Sequence, residues 1–227
     1  MFAEVISPHT FPLSCRMYIY KTPAWLKNCW AACEWDHSQY PEPKTVFLTF
    51  DDGPIPEVTP WVLDTLATYQ AQATFFCVGD NIHKHPEVFE AVCAAGHRVG
   101  NHTYNHLNGW KTPLEVYRQN VTQCAEVLTL PNAVAQKPLF RPPYGRLTQA
   151  QFRALEGQYR IVMWDVLTHD YDRRLAPERC LQKALQYTTH GSIVVFHDSL
   201  KAAPNLRAVL PAYLAQLSAE GYRFAAL

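Results

Sequence analysis

Two histidines four residues apart, His102 and His106 in the run HTYNH, have spacing that suggests chemistry. On a helical turn, imidazoles at i and i+4 point the same way and can share one metal ion at about 2.0–2.1 Å. A pair at this spacing also occurs as ordinary surface or capping residues, so a third donor from elsewhere decides its meaning. The adjacent acids Asp51 and Asp52 offer one. They follow the apolar run VFLTF and precede Gly53-Pro54. Turn formation explains the glycine and the proline but not two acids directly after a strand. Side chains alternate along a strand, so one acid can bind a metal while the other faces a water. Two His and one carboxylate, with positions left open for water, form a common catalytic metal set.

Three further clusters have the same character. Arg141 opens RPPYG, whose two prolines fix the backbone and suit it to hold an amide N–H where an oxyanion forms. His197-Asp198 ends the apolar run SIVVF, and Asp165 and Asp170 lie in and after RIVMWDV. A histidine after an apolar strand is either a satisfied core residue or an acid–base group.

The elements that must position these residues follow from periodicity. Short β-branched and aromatic runs at 46–50, 73–79, 98–101, 138–140, 160–166, 192–197 and 222–227 alternate with helical patterns near 57–69, 86–95, 113–128, 148–156, 177–189 and 205–220. Nearly continuous apolar runs predict strands buried on both faces of a parallel sheet. Gly96, Gly157, Gly191 and Gly221 follow helical patterns, as left-handed C-caps do. The alternation predicts a single α/β domain over 44–227, an α/β barrel or a doubly wound sheet with about seven parallel strands. Residues 1–43 fall outside the rhythm and are expected to form a tail and a packing helix. Each polar cluster then falls at a strand C-terminus, the face where α/β barrels gather catalytic residues.

Bulk properties narrow the function classes. Lys+Arg and Asp+Glu balance at 20 each, so no polyanionic partner such as nucleic acid is expected. No apolar run approaches the ~20 residues of a membrane helix. The first 15 residues lack a basic region and carry Glu4, which argues against a signal peptide and, with the thiols, for the cytoplasm, the cell envelope being the alternative; residues 1–16 have the character of an upstream extension. The seven cysteines have no framework spacing and are expected to be free thiols. Cys29 and Cys33 read as one face of an amphipathic helix in PAWLKNCWAACEW rather than as a metal stripe.

Taken in order, Thr49-Phe50-Asp51-Asp52-Gly53-Pro54, His102-Thr103-Tyr104-Asn105-His106, Arg141-Pro142-Pro143-Tyr144-Gly145 and Val195-Phe196-His197-Asp198 resemble four motifs of the polysaccharide deacetylase family. This family is also called the NodB homology domain or carbohydrate esterase family 4, and the resemblance spans about residues 44–227. It implies a distorted (β/α) barrel and a bacterial enzyme that hydrolyses N-acetyl groups of chitooligosaccharide or peptidoglycan. It implies Asp52, His102 and His106 as ligands of Zn²⁺, Co²⁺, Ni²⁺ or a similar ion. Asp51 is implied as general base, Arg141 as its holder, the Tyr144 N–H as an oxyanion donor, and His197 as general acid tuned by Asp170. Tyr144, Tyr171 and Pro142 are expected to touch substrate. The fourth motif departs: Asp165-Val166-Leu167-Thr168-His169-Asp170-Tyr171 has Leu167 for the usual middle Asp and Tyr171 for Trp. That departure bears on the substrate groove more than on the chemistry. A monomer acting on carbohydrate is expected; the alternatives are a hydrolase of a small non-peptide amide on the same fold and a non-catalytic sugar-binding protein.

Overall fold

The computed structural model describes residues 18–42, 44–128 and 137–227. VFLTF lies within strand β1 (Thr45–Asp51), buried along its whole length. Alternation sorts its side chains. Val46, Leu48 and Phe50 pack with Val62, Leu66 and Leu210 of the helical layer, while Phe47 packs with Phe76, Leu139 and Ile193 on the other face. Thr49 and Asp51 therefore share the face of Phe47.

Among the described residues, eight short strands form one sheet, and every strand pair is parallel. The strands after β1 are β2 (Thr74–Cys77), β3 (Arg98–Asn101), β4 (Leu139–Phe140), β5 (Arg160–Ile161), β6 (Val166–Leu167), β7 (Ile193–His197) and β8 (Arg223–Ala225). Their order is β5-β4-β3-β2-β1-β7-β6, and β8 also pairs with β1. Together they make the curled half-barrel of a distorted (β/α) barrel. The helices are α1 (Ala24–Cys29), α2 (Thr59–Thr68), α3 (Gly79–Lys84), α4 (Pro86–Ala94), α5 (Leu114–Val127), α6 (Gln149–Leu155), α7 (Pro177–Tyr187) and α8 (Ala203–Ala219). Six of them realise the predicted patterns to within two residues at either end. Helix α3 was not foreseen, because six residues reading GDNIHK carry no apolar stripe. Gly96, Gly191 and Gly221 have positive φ as expected, whereas Gly157 does not. At Gly191 a Cβ would also lie 2.4 Å from the backbone of His37.

RIVMWDV is not one strand. Arg160–Ile161 pairs with β4, whereas Val166–Leu167 pairs with β7 on the far side of the sheet. No strand pairing joins β5 to β6 among the described residues. The N-terminal segment spans this seam. The Glu34 N–H donates to the Ile161 carbonyl (2.9 Å), and Met163 N–H to Glu34 O (2.7 Å). On the other side, Leu167 N–H donates to Tyr20 O (2.9 Å), and Thr22 N–H to Asp165 O (2.8 Å). These bonds satisfy backbone groups that a continuous sheet would have paired. They also explain why the predicted helix through PAWLKNCWAACEW stops at Cys29: the chain must be extended by Glu34 to bridge the seam. Cys29 and Cys33 accordingly share no helix face; Cys29 is exposed and Cys33 is buried. All six described cysteines are free thiols, and Cys15 lies outside the described residues.

Asp165 belongs to this strut rather than to the reactive face. It precedes β6, and its carboxylate accepts from Lys21 Nζ, Lys27 Nζ and Ser192 Oγ, each at 2.6 Å, at the opposite end of the sheet from His197. Removing one partner of a buried pair costs about 3–5 kcal/mol, and exposed pairs contribute under about 1 kcal/mol. Lys21 and Lys27 are 36% and 20% exposed around an acid that is 3% exposed. Asp165→Ala should therefore lose roughly 2 kcal/mol in urea denaturation; unchanged stability would remove the strut.

Candidate active site

The polar clusters meet at the C-terminal ends of the strands. Alternation in β1 places Thr49 and Asp51 two residues apart on one face, within reach of one guanidinium. Arg141, directly after β4, is fully buried. Its Nη1 donates to Thr49 Oγ1 and Asp51 Oδ1, both at 2.7 Å; Nη2 donates to Met163 O (2.8 Å) and Nε to Val162 O (3.3 Å). The guanidinium also lies 4.1 Å over the Phe76 ring. A buried cation with this many partners fixes the Asp51 carboxylate, with Oδ1 committed to Arg141 and Oδ2 not.

Asp52 turns away from Asp51 because its backbone leaves the strand at φ 83. Its Oδ1 lies 3.2 Å from His106 Nε2 and 3.9 Å from His102 Nε2. The three donor atoms all lie within 4.8 Å of one another. Tetrahedral ligands about 2.0–2.2 Å from one ion sit roughly 3.3 Å apart, so the set fits a divalent metal with small adjustments. His102 Nδ1 lies 2.7 Å from the Arg141 carbonyl. A carbonyl only accepts, so the proton sits on Nδ1 and the Nε2 lone pair is left for a metal. Burial pushes the His102 imidazole down to about 4, which keeps it neutral. Burial opposes ionisation of Asp52, yet the His106 hydrogen bond and the charges of His197, His106 and His102 hold it below the usual carboxylate range. The two histidines do not converge through the helical turn expected from their spacing. Residues 102–108 form a loop in which Thr103 (φ 61) and His106 (φ 54) are left-handed.

His197 sits beside this cluster because β1 and β7 are in register with Asp51 opposite His197. Its Nδ1 lies 2.7 Å from Asp170 Oδ1, and its N–H donates to Asp170 Oδ2 at 2.8 Å. Asp170 is fully buried. Burial works against the His197 charge, but Asp170, by charge and hydrogen bond, and then Asp52 and Asp51 raise it to about 9. Tyr171 packs edge-on to His197, with ring centroids 4.9 Å apart. Tyr144 stands in a tight turn at φ 60, and its hydroxyl lies 3.2 Å from His106 Nδ1. The bonds of that turn come from Gly145 and Arg146, which donate to Pro142 and Pro143, so the turn does not consume the Tyr144 N–H. Pro142, Tyr144 and Tyr171 line one cavity of about 570 Å³.

Five non-glycine residues with positive φ, Asp52, Thr103, His106, Tyr144 and His169, lie in or beside the site; Lys44 and Gln70 are the others among the described residues. Such backbone costs about 1–3 kcal/mol each and persists only where surroundings impose it. The imposing residues are ones that sequence reasoning gave no role. Asn81 Nδ2 donates to the Asp52 carbonyl (2.7 Å). Asp198 accepts from Gly53 N–H (3.0 Å) and Thr59 Oγ1 (2.6 Å), and a Cβ on Gly53 would lie 2.0 Å from its carboxylate. Asn101 Oδ1 accepts from Thr103 N–H, and Asn120 Oδ1 from Tyr104 and Asn105 N–H. The available signal was polarity in apolar settings: Asn101 closes a strand, and Asn120 lies on the buried face of α5.

The family model described as Polysaccharide deacetylase matches residues 38–161. A Bacillus cereus peptidoglycan-N-acetylglucosamine deacetylase is 34% identical over 187 residues, covering 80% of this chain and 66% of its own length. A chitooligosaccharide deacetylase of a Bradyrhizobium species is 34% identical over 158 residues, covering 68% of this chain and 71% of its own length. Among solved structures, the Bc1960 peptidoglycan N-acetylglucosamine deacetylase, in complex with 4-naphthalen-1-yl-N-oxidanyl-benzamide, superposes with a TM-score of 0.79 at 32% identity, covering 91% of this chain and 95% of that one. The matching family model and the carboxylate–histidine constellation agree: the chain belongs to the polysaccharide deacetylase family.

Proposed function

We propose that the chain is a divalent-metal-dependent deacetylase that hydrolyses the N-acetyl group of an N-acetylglucosamine-containing carbohydrate, a chitooligosaccharide or a peptidoglycan fragment. The observation that carries this reading is the pairing of each reactive group with its own buried counter-charge, Asp51 with Arg141 and His197 with Asp170, beside the cluster of Asp52, His102 and His106. A non-catalytic sugar binder has no need to keep both pairs.

Asp52, His102 and His106 would hold Zn²⁺, Co²⁺ or Ni²⁺, and an ion bound there lowers the pKa of water and polarises a carbonyl. Asp51, its Oδ1 fixed by Arg141, presents Oδ2 to take the proton of the attacking water. The Tyr144 N–H, on a backbone stiffened by Pro142 and Pro143, would donate to the developing oxyanion. His197, held protonated by Asp170, gives its proton to the departing sugar amine, so no charged amide nitrogen has to leave. Acetate and the free amine are the products.

Acetate release from chitooligosaccharides, peptidoglycan fragments and small amides, each with added Zn²⁺ or Co²⁺, tests the reading. Release from the small amides alone would replace it with the small-amide alternative. The acid also sets a pH dependence. His197 is raised to about 9, so its proton is present below that pH and lost as pH rises through it. A bound cation offsets part of the lift from Asp51 and Asp52, which places the alkaline limb of kcat no higher than about 9. Asp170→Asn removes the largest favourable contribution and should move that limb to lower pH. An unmoved limb would take the acid role from His197.

A further inference from the structure

We infer that the enzyme has an apolar subsite, built by the N-terminal segment at the open seam of the barrel, that takes an alkyl or aryl group carried on the substrate; the inference rests on the deacetylase reading. The cavity of about 570 Å³ lies at the seam where β5 and β6 do not pair. Its inner wall is the seam itself, Met163, Trp164 and Leu167. Its outer wall is Ile19, Pro23, Trp25, Leu26 and Trp30, residues that precede the 38–161 stretch matched by the family model.

The chemistry of the lining favours an apolar occupant over a bare sugar. A sugar needs free hydrogen-bonding groups, and here many are spent. The indole N–H of Trp110 donates to Leu147 O, and that of Trp35 to Trp30 O, both at 3.0 Å. Both His169 nitrogens are engaged, one with Ile19 O and the other with Tyr171 Oη. The Arg146 guanidinium lies over the Trp110 ring. Ring faces and aliphatic side chains make up most of what remains, beside the Arg146 guanidinium and the indole N–H groups of Trp25, Trp30 and Trp164, and Trp25 and Trp110 stand 66% and 64% exposed at the rim. Concave apolar walls with few free polar groups bind apolar matter.

The cavity is continuous with the reaction centre through two residues. Tyr144 lines it and bonds His106, and Tyr171 lines it and packs on His197. A smaller space of about 350 Å³ opens at the cluster itself, lined by Asp52 and His106 with Asp80, Asn81, Asn105, Ser199, Ile55 and Val78. There the buried Ser199 Oγ has no hydrogen-bond partner among the described residues. The apolar cavity thus adjoins a reactive centre whose own small space mixes polar and apolar side chains, an arrangement matched to an amphipathic N-acyl sugar. The apolar group can arrive on the acyl side or on the sugar's aglycone.

Calorimetry of the full chain with octyl β-glucoside, kept below micelle formation, tests the subsite without turnover. Each methylene removed from water multiplies affinity about three- to fourfold. Partial burial of the octyl chain should therefore make it bind at least about tenfold tighter than methyl β-glucoside. Trp25→Ala and Trp110→Ala, both at exposed rim positions, should each weaken octyl binding several-fold. Equal binding of the two glucosides, or octyl binding indifferent to both variants, overturns the subsite. Two kinetic arms locate the group: octyl against methyl N-acetylglucosaminide for the aglycone, and N-octanoyl- against N-acetylglucosamine for the acyl chain. A tenfold gain in kcat/KM in one arm, lost in Trp25→Ala, supports that side; no gain in either removes the subsite from catalysis and overturns the inference. Binding that depends on Trp25, with no acetate released from chitooligosaccharides, peptidoglycan fragments or any of these compounds, overturns the deacetylase reading and leaves only the cavity's ligand class standing.

Discussion

Replacement of Asp51 by Asn is expected to lower kcat by roughly 10³-fold, within the 10²–10⁴ range typical of a lost general base, while metal content stays unchanged. The two halves of this expectation come from different atoms. The amide keeps an oxygen where Oδ1 accepts from Arg141 Nη1, and that guanidinium has three further partners in Thr49, Val162 and Met163. The buried arginine stays satisfied, so the site should remain assembled. What disappears is the basic oxygen facing the water. Asp52, which turns away at φ 83, is untouched. Steady-state kinetics together with elemental analysis of the same preparation check both halves. Retained turnover would remove the base assignment, and lost metal would show that Asp51 and Asp52 had been assigned the wrong way round.

The second large effect is expected at the histidines. His102→Ala should abolish stoichiometric metal binding and turnover together, because two of three ligands leave too few donors for a tightly held ion. His102 is also a buried ring that bonds the Arg141 carbonyl, so this variant risks a general loss of structure. His106→Ala separates the two causes. His106 is 28% exposed and, among the described residues, bonds at the site's rim to Asp52 and the Tyr144 hydroxyl. It should fold with an unchanged circular dichroism spectrum and still lose metal. Full metal occupancy in folded His106→Ala protein would dissolve the triad.

Much of this site was legible in the residues, and the reasons are physical. Continuous apolar runs predicted buried parallel strands, and placing the polar clusters at strand ends brought five of them onto one face without any knowledge of distances. Asp51 and Asp52 were separable in principle because side chains alternate in a strand. The way His102 and His106 converge was not legible. Their i, i+4 spacing suggested a helical turn, but left-handed Thr103 and His106, held by Asn101 and Asn120, bring the rings together. Backbone strain imposed by distant side chains leaves no periodic trace. RIVMWDV failed for a related reason: an apolar run shows that a segment is buried, not that it keeps one pairing partner. Asp165 was consequently read with the reactive face, whereas it anchors Lys21 and Lys27 at the other end of the sheet. The strut formed by residues 18–42 is likewise tertiary information, since only the gap between β5 and β6 makes it necessary.

The most direct test is acetate release from a chitooligosaccharide by protein first stripped of divalent ions with a chelator and then titrated with Zn²⁺. Metal-dependent deacetylation at Asp52, His102 and His106 requires no turnover by the stripped protein and activity that rises to saturation at about one ion per chain. Undiminished acetate release from fully stripped protein would contradict it.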